Sequence, residues 1–285
     1  MIKDATSPQP RPILSAGSIV SAAVQIYRLH FREYLRLSIA AHRWLIVPFY
    51  GWAKFAELSA LISKLTFDRF SHQTDEANNS HDALKSLKWK LLITNILAIS
   101  IVILLGVISL IIEFVVLAVL LALLWFFAGI LPPTNSSKEV HVIAMGVAVW
   151  ALVFLAMLWS YSHLFIVELP LAVEEPTSPI LKLKRSVQLS KSQIFHILGV
   201  IIITFLLILP ISLLLQFLRG RGKKLALTFL QGDAQTYNFA QDLSSLLLGL
   251  LISIICTPLW QAVKAVLYYD LLNRRESFGL RLRDR

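Results

Sequence analysis

LLITNILAISIVILLGVISLIIEFVVLAVLLALLWFFAGIL, residues 91–131, decides how the rest of this chain is read. These 41 residues contain one ionisable side chain, Glu113, and no proline. A helix in a water-soluble domain needs only an apolar stripe, whereas a helix in lipid is apolar all round. The run therefore belongs in a bilayer, and the chain among the integral membrane proteins. A straight helix over it is about 60 Å long, roughly twice the thickness of the hydrocarbon core. It is expected to bend, double back or lie partly along the interface. Pro132 and Pro133 end it.

Composition agrees with this assignment. Of 285 residues, 56% are hydrophobic and 15% charged, against about 25% charged in an ordinary soluble domain. Mean hydropathy is +0.69. Four to six crossings of about 20 residues each fit this length, and no large soluble domain fits in the remainder. The single cysteine, Cys256, rules out a disulfide framework within the chain and a cysteine metal cluster. The net charge of +10 comes from cations that flank apolar runs. That placement suits anionic lipid headgroups rather than nucleic acid. Residues 1–14 read as a flexible tail, with no apolar core and cleavage site of a removable signal peptide.

On the N-terminal side of the long run, residues 66–88 are polar, with residues 73–80 as an exposed loop. Residues 37–65 are apolar but interrupted by Pro48 and Gly51, with Arg43, Lys54 and Glu57 dispersed through them. They form either one kinked crossing or a short hairpin turning at residues 47–51. From Ala16 to Leu35, Val20, Val24, Tyr27, Phe31 and Tyr34 or Leu35 recur at spacings of three and four, with Arg28, His30, Arg32 and Glu33 between them. That pattern predicts an amphipathic helix in the headgroup plane. On the C-terminal side, Val140–Pro170 is a spanning segment carrying Trp150 and Trp159. Ile194–Leu218 is another, broken by Pro210. A basic polar loop is expected over 219–241. The last segment, Leu243–Tyr269, holds Pro258 and precedes a charged tail. The fold class is all-α, a membrane helical bundle of about six membrane segments, forming a single domain over 15–285.

Three places repeat one design, a short basic amphipathic stretch running straight into an apolar segment. They are centred on Tyr27–Arg32, Ala83–Trp89 and Leu183–Lys191, within elbows near 16–35, 80–90 and 178–192. Each is read as an interfacial elbow that anchors a pair of membrane segments. With all three on one side and 37–65 as a shallow hairpin, Lys and Arg number 19 on the elbow side and 5 on the other. A conventional crossing count splits them 14 to 10. Orientation follows the Lys/Arg excess, so both termini and the elbows are expected in the cytoplasm, in a bacterial inner or thylakoid membrane.

Several stretches resemble a known family. They are Ser18-Ile19-Val20 with Ile26–Phe31, the segment Glu168–Glu175 followed by Lys184-Arg185-Ser186 and Leu189-Ser190-Lys191, and Leu267–Leu271 with Arg274-Arg275-Glu276. In order and spacing they resemble the multi-helix membrane domain fused to some bacterial glycerophosphodiester phosphodiesterases, closest to cyanobacterial stand-alone versions. The resemblance covers most of the chain and implies about six membrane segments with three elbows. It implies no catalysis, since the family's phosphodiesterase activity belongs to a separate soluble barrel.

Candidate residues fall into two groups. Arg28, Arg32, Lys85, Lys88, Lys184, Arg185, Lys191, Arg274 and Arg275 are candidates for lipid headgroups or the interface. Arg43, Lys54, Glu57, Glu113 and Lys264 are polar candidates within the membrane, where a carboxylate such as Glu113 is costly and often marks a proton or ion path. Lys54 and Glu57 are one helical turn apart, as an ion pair requires, and with Arg43 would alternatively line a groove. Lys264, Asp270 and Arg274 are expected to fix the last helix at the boundary. The seven histidines show no metal-like spacing, and no His-Glu-x-x-His motif or phosphate loop occurs. No catalytic residue, cofactor or metal is assigned. The expected partners are anionic lipid and another membrane protein, with the chain as a scaffold or accessory subunit. A small transporter or lipid-handling protein is the alternative, drawn from Glu113 and the proline-broken helices.

Overall fold

A computed structural model describes residues 13–71, 77–128, 138–174, 178–229 and 234–283. Among them no strand occurs. The helices are α1 (Ala16–Leu29), α2 (Phe31–Trp44), α3 (Tyr50–Ser71), α4 (Ala77–Ala128), α5 (Lys138–Leu164), α6 (Leu169–Val173), α7 (Pro179–Ser190), α8 (Ile194–Phe229) and α9 (Ala234–Arg283). Most of the N-terminal tail lies outside the described residues.

The short amphipathic helices have readable starts. The Ser15 side chain caps α1 by accepting from the Ser18 amide, and Ser178 does the same for α7 from Leu181, with Pro179 in the first turn. α1 buries Ile19, Val20, Ala23 and Tyr27, one face at helical spacing. It stops at His30, and α2 starts at the next residue, burying Tyr34, Ser38, Ala41 and His42. The first elbow is thus two helices rather than one. The second elbow is not a separate element. Residues 80–90 form early turns of α4.

The interrupted stretch 37–65 resolves as a hairpin. α2 and α3 are joined by residues 45–49, with Pro48 in the turn and Phe49 at φ 57°. A methyl group on Gly51 would overlap the carbonyl oxygen of Trp44, so this position tolerates only hydrogen. α3 is about 33 Å long, and Glu57, Ser59, Ser63, Thr66 and Asp68 are buried along it. Its neighbours are α1, α2, α4, α6 and α9. Surrounded by protein, it tolerates a polar content that a lipid-facing helix would not.

Among the described residues, four helices are long and apolar enough to cross a membrane, over Leu84–Ile112, Trp150–Val173, Ile194–Leu214 and Asp242–Arg275. They do not by themselves make up the expected count of about six membrane segments. The long run does not double back, because α4 is one continuous helix of 52 residues, about 78 Å. The basic stretch after Leu218, expected as a loop, is helical through Phe229. Arg and Lys are good helix formers, and the two glycines there cost only about 1 kcal/mol each. Helices α8 and α9 also continue through Pro210 and Pro258.

Each of these four helices is divided along its length. α4 buries Leu84, Leu87, Leu91, Thr94 and Ala98, then exposes most of its apolar side chains, with Leu104 59% and Ile111 56% accessible. α5 is exposed at Trp150 and Phe154, and the chain becomes buried from Leu164 onward. α8 buries Ile197, Val200 and Ile201 and exposes Phe205, Leu206 and Leu213. α9 exposes Leu243, Leu246 and Leu247 and buries Ala262 to Leu267. Most of the buried parts join α1, α2, α3 and α6 in one apolar core, while Ala98, Leu164 and Val167 form a second, smaller cluster. The outer parts of α4 and α5 meet at Gly106, where an added methyl group would lie in ordinary contact with the Met157 side chain.

Candidate functional site

The polar groups of the packed region are paired across long sequence distances. Lys264 of α9 donates to Glu168 at 2.7 Å, with both side chains nearly buried. Glu174, just after α6, accepts from Lys182 at 2.9 Å, Arg185 at 3.3 Å and the Tyr268 hydroxyl at 2.6 Å. Burial pushes the Glu174 carboxyl up, but the bonds from Tyr268 and Lys182 and the charges of Lys182 and Arg185 outweigh it, so it ionises below the usual carboxylate range. The Glu33 carboxylate accepts from Arg69 at 2.7 Å, and the Arg69 guanidinium lies over the Tyr34 ring. Such pairs contribute little net stability against an apolar equivalent, but breaking one leaves a buried charge, so they hold segments in register.

A second cluster ties both ends of the described chain together. Asp270, 1% exposed, accepts from the Leu14 amide at 2.9 Å and from Arg274 at 2.6 Å. His196 Nε2 lies 3.3 Å from the same carboxylate. Arg274 also donates to the Leu14 carbonyl at 2.6 Å and to Gln193 at 3.4 Å. Beside this cluster is a cavity of about 340 Å³, lined by Gln188, Leu189, Ser192, Gln193, Leu271, Arg274 and Arg275. The turn between α7 and α8 forms one wall, and the C-terminal part of α9 forms the other.

The sequence-predicted cations have different fates. Arg274 and Arg275 meet the end of the third elbow at this cavity, with Lys191 at the adjoining turn. Arg274 is half-buried and neutralised by Asp270, whereas Arg275 is exposed, with no ion-pair partner among the described residues. Lys184 is exposed, and Arg185 is taken up by Glu174. Arg28, Arg32 and Lys85 are exposed. Lys88 places its ammonium 4.6 Å from the Tyr50 ring centre, beside the hairpin turn. Among the intramembrane candidates, Lys54 and Glu57 pair at 2.8 Å, but Arg43 is exposed and joins neither. Lys264 bonds Glu168 rather than the Asp270–Arg274 pair. The side chain of Glu113 lies outside the described residues.

Other polar residues of the core carried no signal by themselves. Lys182 is buried through its bond to Glu174. His42 bonds the Ser38 carbonyl and the Ser253 hydroxyl, each at 2.8 Å, and Ser63 donates to the Gln261 side chain at 2.7 Å. His163 lies 3.1 Å from the Ser190 hydroxyl. Glu168 and Glu174 lie in the apolar-acidic stretch already singled out for its resemblance. Among the described residues, no three His, Cys, Asp or Glu side chains gather as a metal site. Among the described residues, the buried oxygens without a hydrogen-bond partner include Glu57 Oε2 and Ser59 Oγ, both in α3.

What the arrangement offers is therefore a cationic, hydrogen-bonding notch on a tightly paired core, with bare apolar helices extending from that core. No protein-family model, no curated protein and no solved structure matches this chain.

Proposed function

We propose that this chain is a non-catalytic integral membrane protein, a scaffold or accessory subunit that holds anionic lipid and associates with another membrane protein. The observation that carries it is the division of the four long helices. Among the described residues, their outer parts expose many Leu, Ile, Val and Phe side chains, a surface that only lipid or apolar protein covers. The exposed cations Arg28, Arg32, Lys85, Lys184, Lys191 and Arg275 belong to the basic stretches that precede or follow these segments, where they suit the anionic surface of a cytoplasmic leaflet. In this proposal the four long helices and the two arms of the α2–α3 hairpin make up the six membrane segments. The hairpin enters and leaves on the elbow side, and both termini are cytoplasmic. A stand-alone relative of the phosphodiesterase membrane domain is the proposed lineage. Purification from native membranes in mild detergent tests this. Recovery of a membrane-protein partner and retained anionic lipid is expected; a protein that carries neither would overturn it.

A second proposal, a small transporter or lipid-handling protein, draws on Glu57. Its side chain is 0% exposed and keeps one oxygen unbonded, and a buried carboxylate in a membrane bundle is a proton or ion acceptor by default. Glu57→Gln and Glu113→Gln, tested in flux and lipid-movement assays, discriminate. Unchanged movement in both removes this alternative.

A further inference from the structure

The geometry points to a specific binding site for one phosphate-bearing anionic headgroup in the notch between the α7–α8 turn and the end of α9. This inference rests on the lipid-binding reading above and narrows it to a single place. The lining contains two arginines, two glutamines and a serine, but no acidic side chain. The Asp270 carboxylate, next to the lining, is taken up by bonds with Leu14 and Arg274 and is 1% exposed. Arg274 is thereby held in place, so it shapes the wall while Arg275, without an ion-pair partner among the described residues, supplies the charge. Gln188, Ser192 and Gln193 add neutral donors, which phosphate oxygens accept and a cation would not use in that number.

The size and the surroundings favour an amphiphile. A volume of about 340 Å³ lies at the small end of ligand pockets and exceeds the needs of a bare phosphate. Leu189 and Leu271 form an apolar wall suited to glyceryl or acyl carbons. Flanking the lining residues in the chain, Phe195 is 88% exposed and Val187 is also exposed, which adds apolar surface to this turn. A lipid headgroup and a free phosphate share the same recognition chemistry, and the bare apolar flank favours the lipid.

The test uses the full-length protein in detergent, titrated with phosphatidylglycerol, phosphatidylcholine, glycerol phosphate or inorganic phosphate, with bound ligand counted by native mass spectrometry. Wild type is expected to retain one phosphatidylglycerol with higher affinity than phosphatidylcholine. Arg275→Gln and Gln188→Leu are each expected to weaken it by about tenfold, the scale of one charge-assisted hydrogen bond. Arg36→Gln, an equal charge change at an exposed residue of α2, is expected to leave it unchanged. Displacement by glycerol phosphate or inorganic phosphate at matching concentration, with the same sensitivity to Arg275, supports the site and identifies a free phosphate compound as its occupant. If both notch variants bind phosphatidylglycerol as wild type does, the site is overturned while lipid binding elsewhere on the elbows stands. If wild type retains no anionic lipid, both proposals fall.

Discussion

Leu169 and Leu104 are the same residue in the two regions of this molecule. Leu169, at the start of α6, is 0% exposed among core side chains that touch it on all sides; Leu104, in α4, is 59% exposed. The packed region couples its polar groups in pairs and triads, and nearly every buried charge there has an assigned partner. The bare region contains little that needs a partner. The contrast shows two ways of satisfying the same physics: side-chain complementarity where protein covers protein, and uniform apolarity where lipid does. Stability and specificity therefore concentrate in the packed region, and the bare region sets only the solvent.

The largest expected effect lies in the packed region. Lys264→Met leaves Glu168 as an uncompensated buried charge and is expected to cost about 3–5 kcal/mol in a denaturant-unfolding experiment in detergent, whereas Lys264→Met with Glu168→Leu recovers most of it. If the single and double variants unfold alike, the pair does not hold α9 to the α5–α6 turn. Next comes a charge placed in the bare region. Leu104→Lys is expected to cost about 3 kcal/mol of insertion, read as protein lost from the membrane fraction; Leu104→Ala is expected to change stability by less than about 0.5 kcal/mol. An equal and large cost for Leu104→Ala would mean that protein rather than lipid covers this stretch.

Gly51→Ala sharpens the comparison at the hairpin, where the added methyl overlaps the Trp44 carbonyl. A loss of about 2 kcal/mol is expected, with the shift confined to probes near Trp44 and Trp52. The smallest effect is electrostatic. Glu174 ionises below its ordinary value near 4.5, so its contribution is fully present above that pH and is lost as pH falls through the lower folded value. Tyr268→Phe removes a donor that favours the charged carboxylate and is expected to cost about 1 kcal/mol at neutral pH. It also moves the acid-induced loss to higher pH, as followed by tryptophan fluorescence. A variant with an unchanged acid midpoint would show that Tyr268 does not tune Glu174.

Much of the architecture was legible because it depends on near neighbours. The Lys54–Glu57 and Asp270–Arg274 pairs follow from helical spacing alone. The hairpin was legible only as one of two alternatives, because Pro48 and Gly51 break a helix whether it kinks or turns back. What accommodates the polar content of α3 was not legible, since hydropathy measures a side chain without its neighbours. The notch was half legible: Lys191, Arg274 and Arg275 stood out as basic, but nothing in either stretch announced that they meet.

The amino-acid order by itself determined the solvent, since a run apolar on all sides is costly in water whatever its fold, and it determined pairs within one or two helical turns, where backbone geometry fixes the distance. Only the tertiary structure decided which charge answers which across the bundle. Lys264 meets Glu168 over 96 residues, Tyr268 meets Glu174 over 94, and Arg274 meets Leu14 over 260. Those meetings depend on how helices cross and where turns return them, which is set by packing of the whole core and by no local spacing.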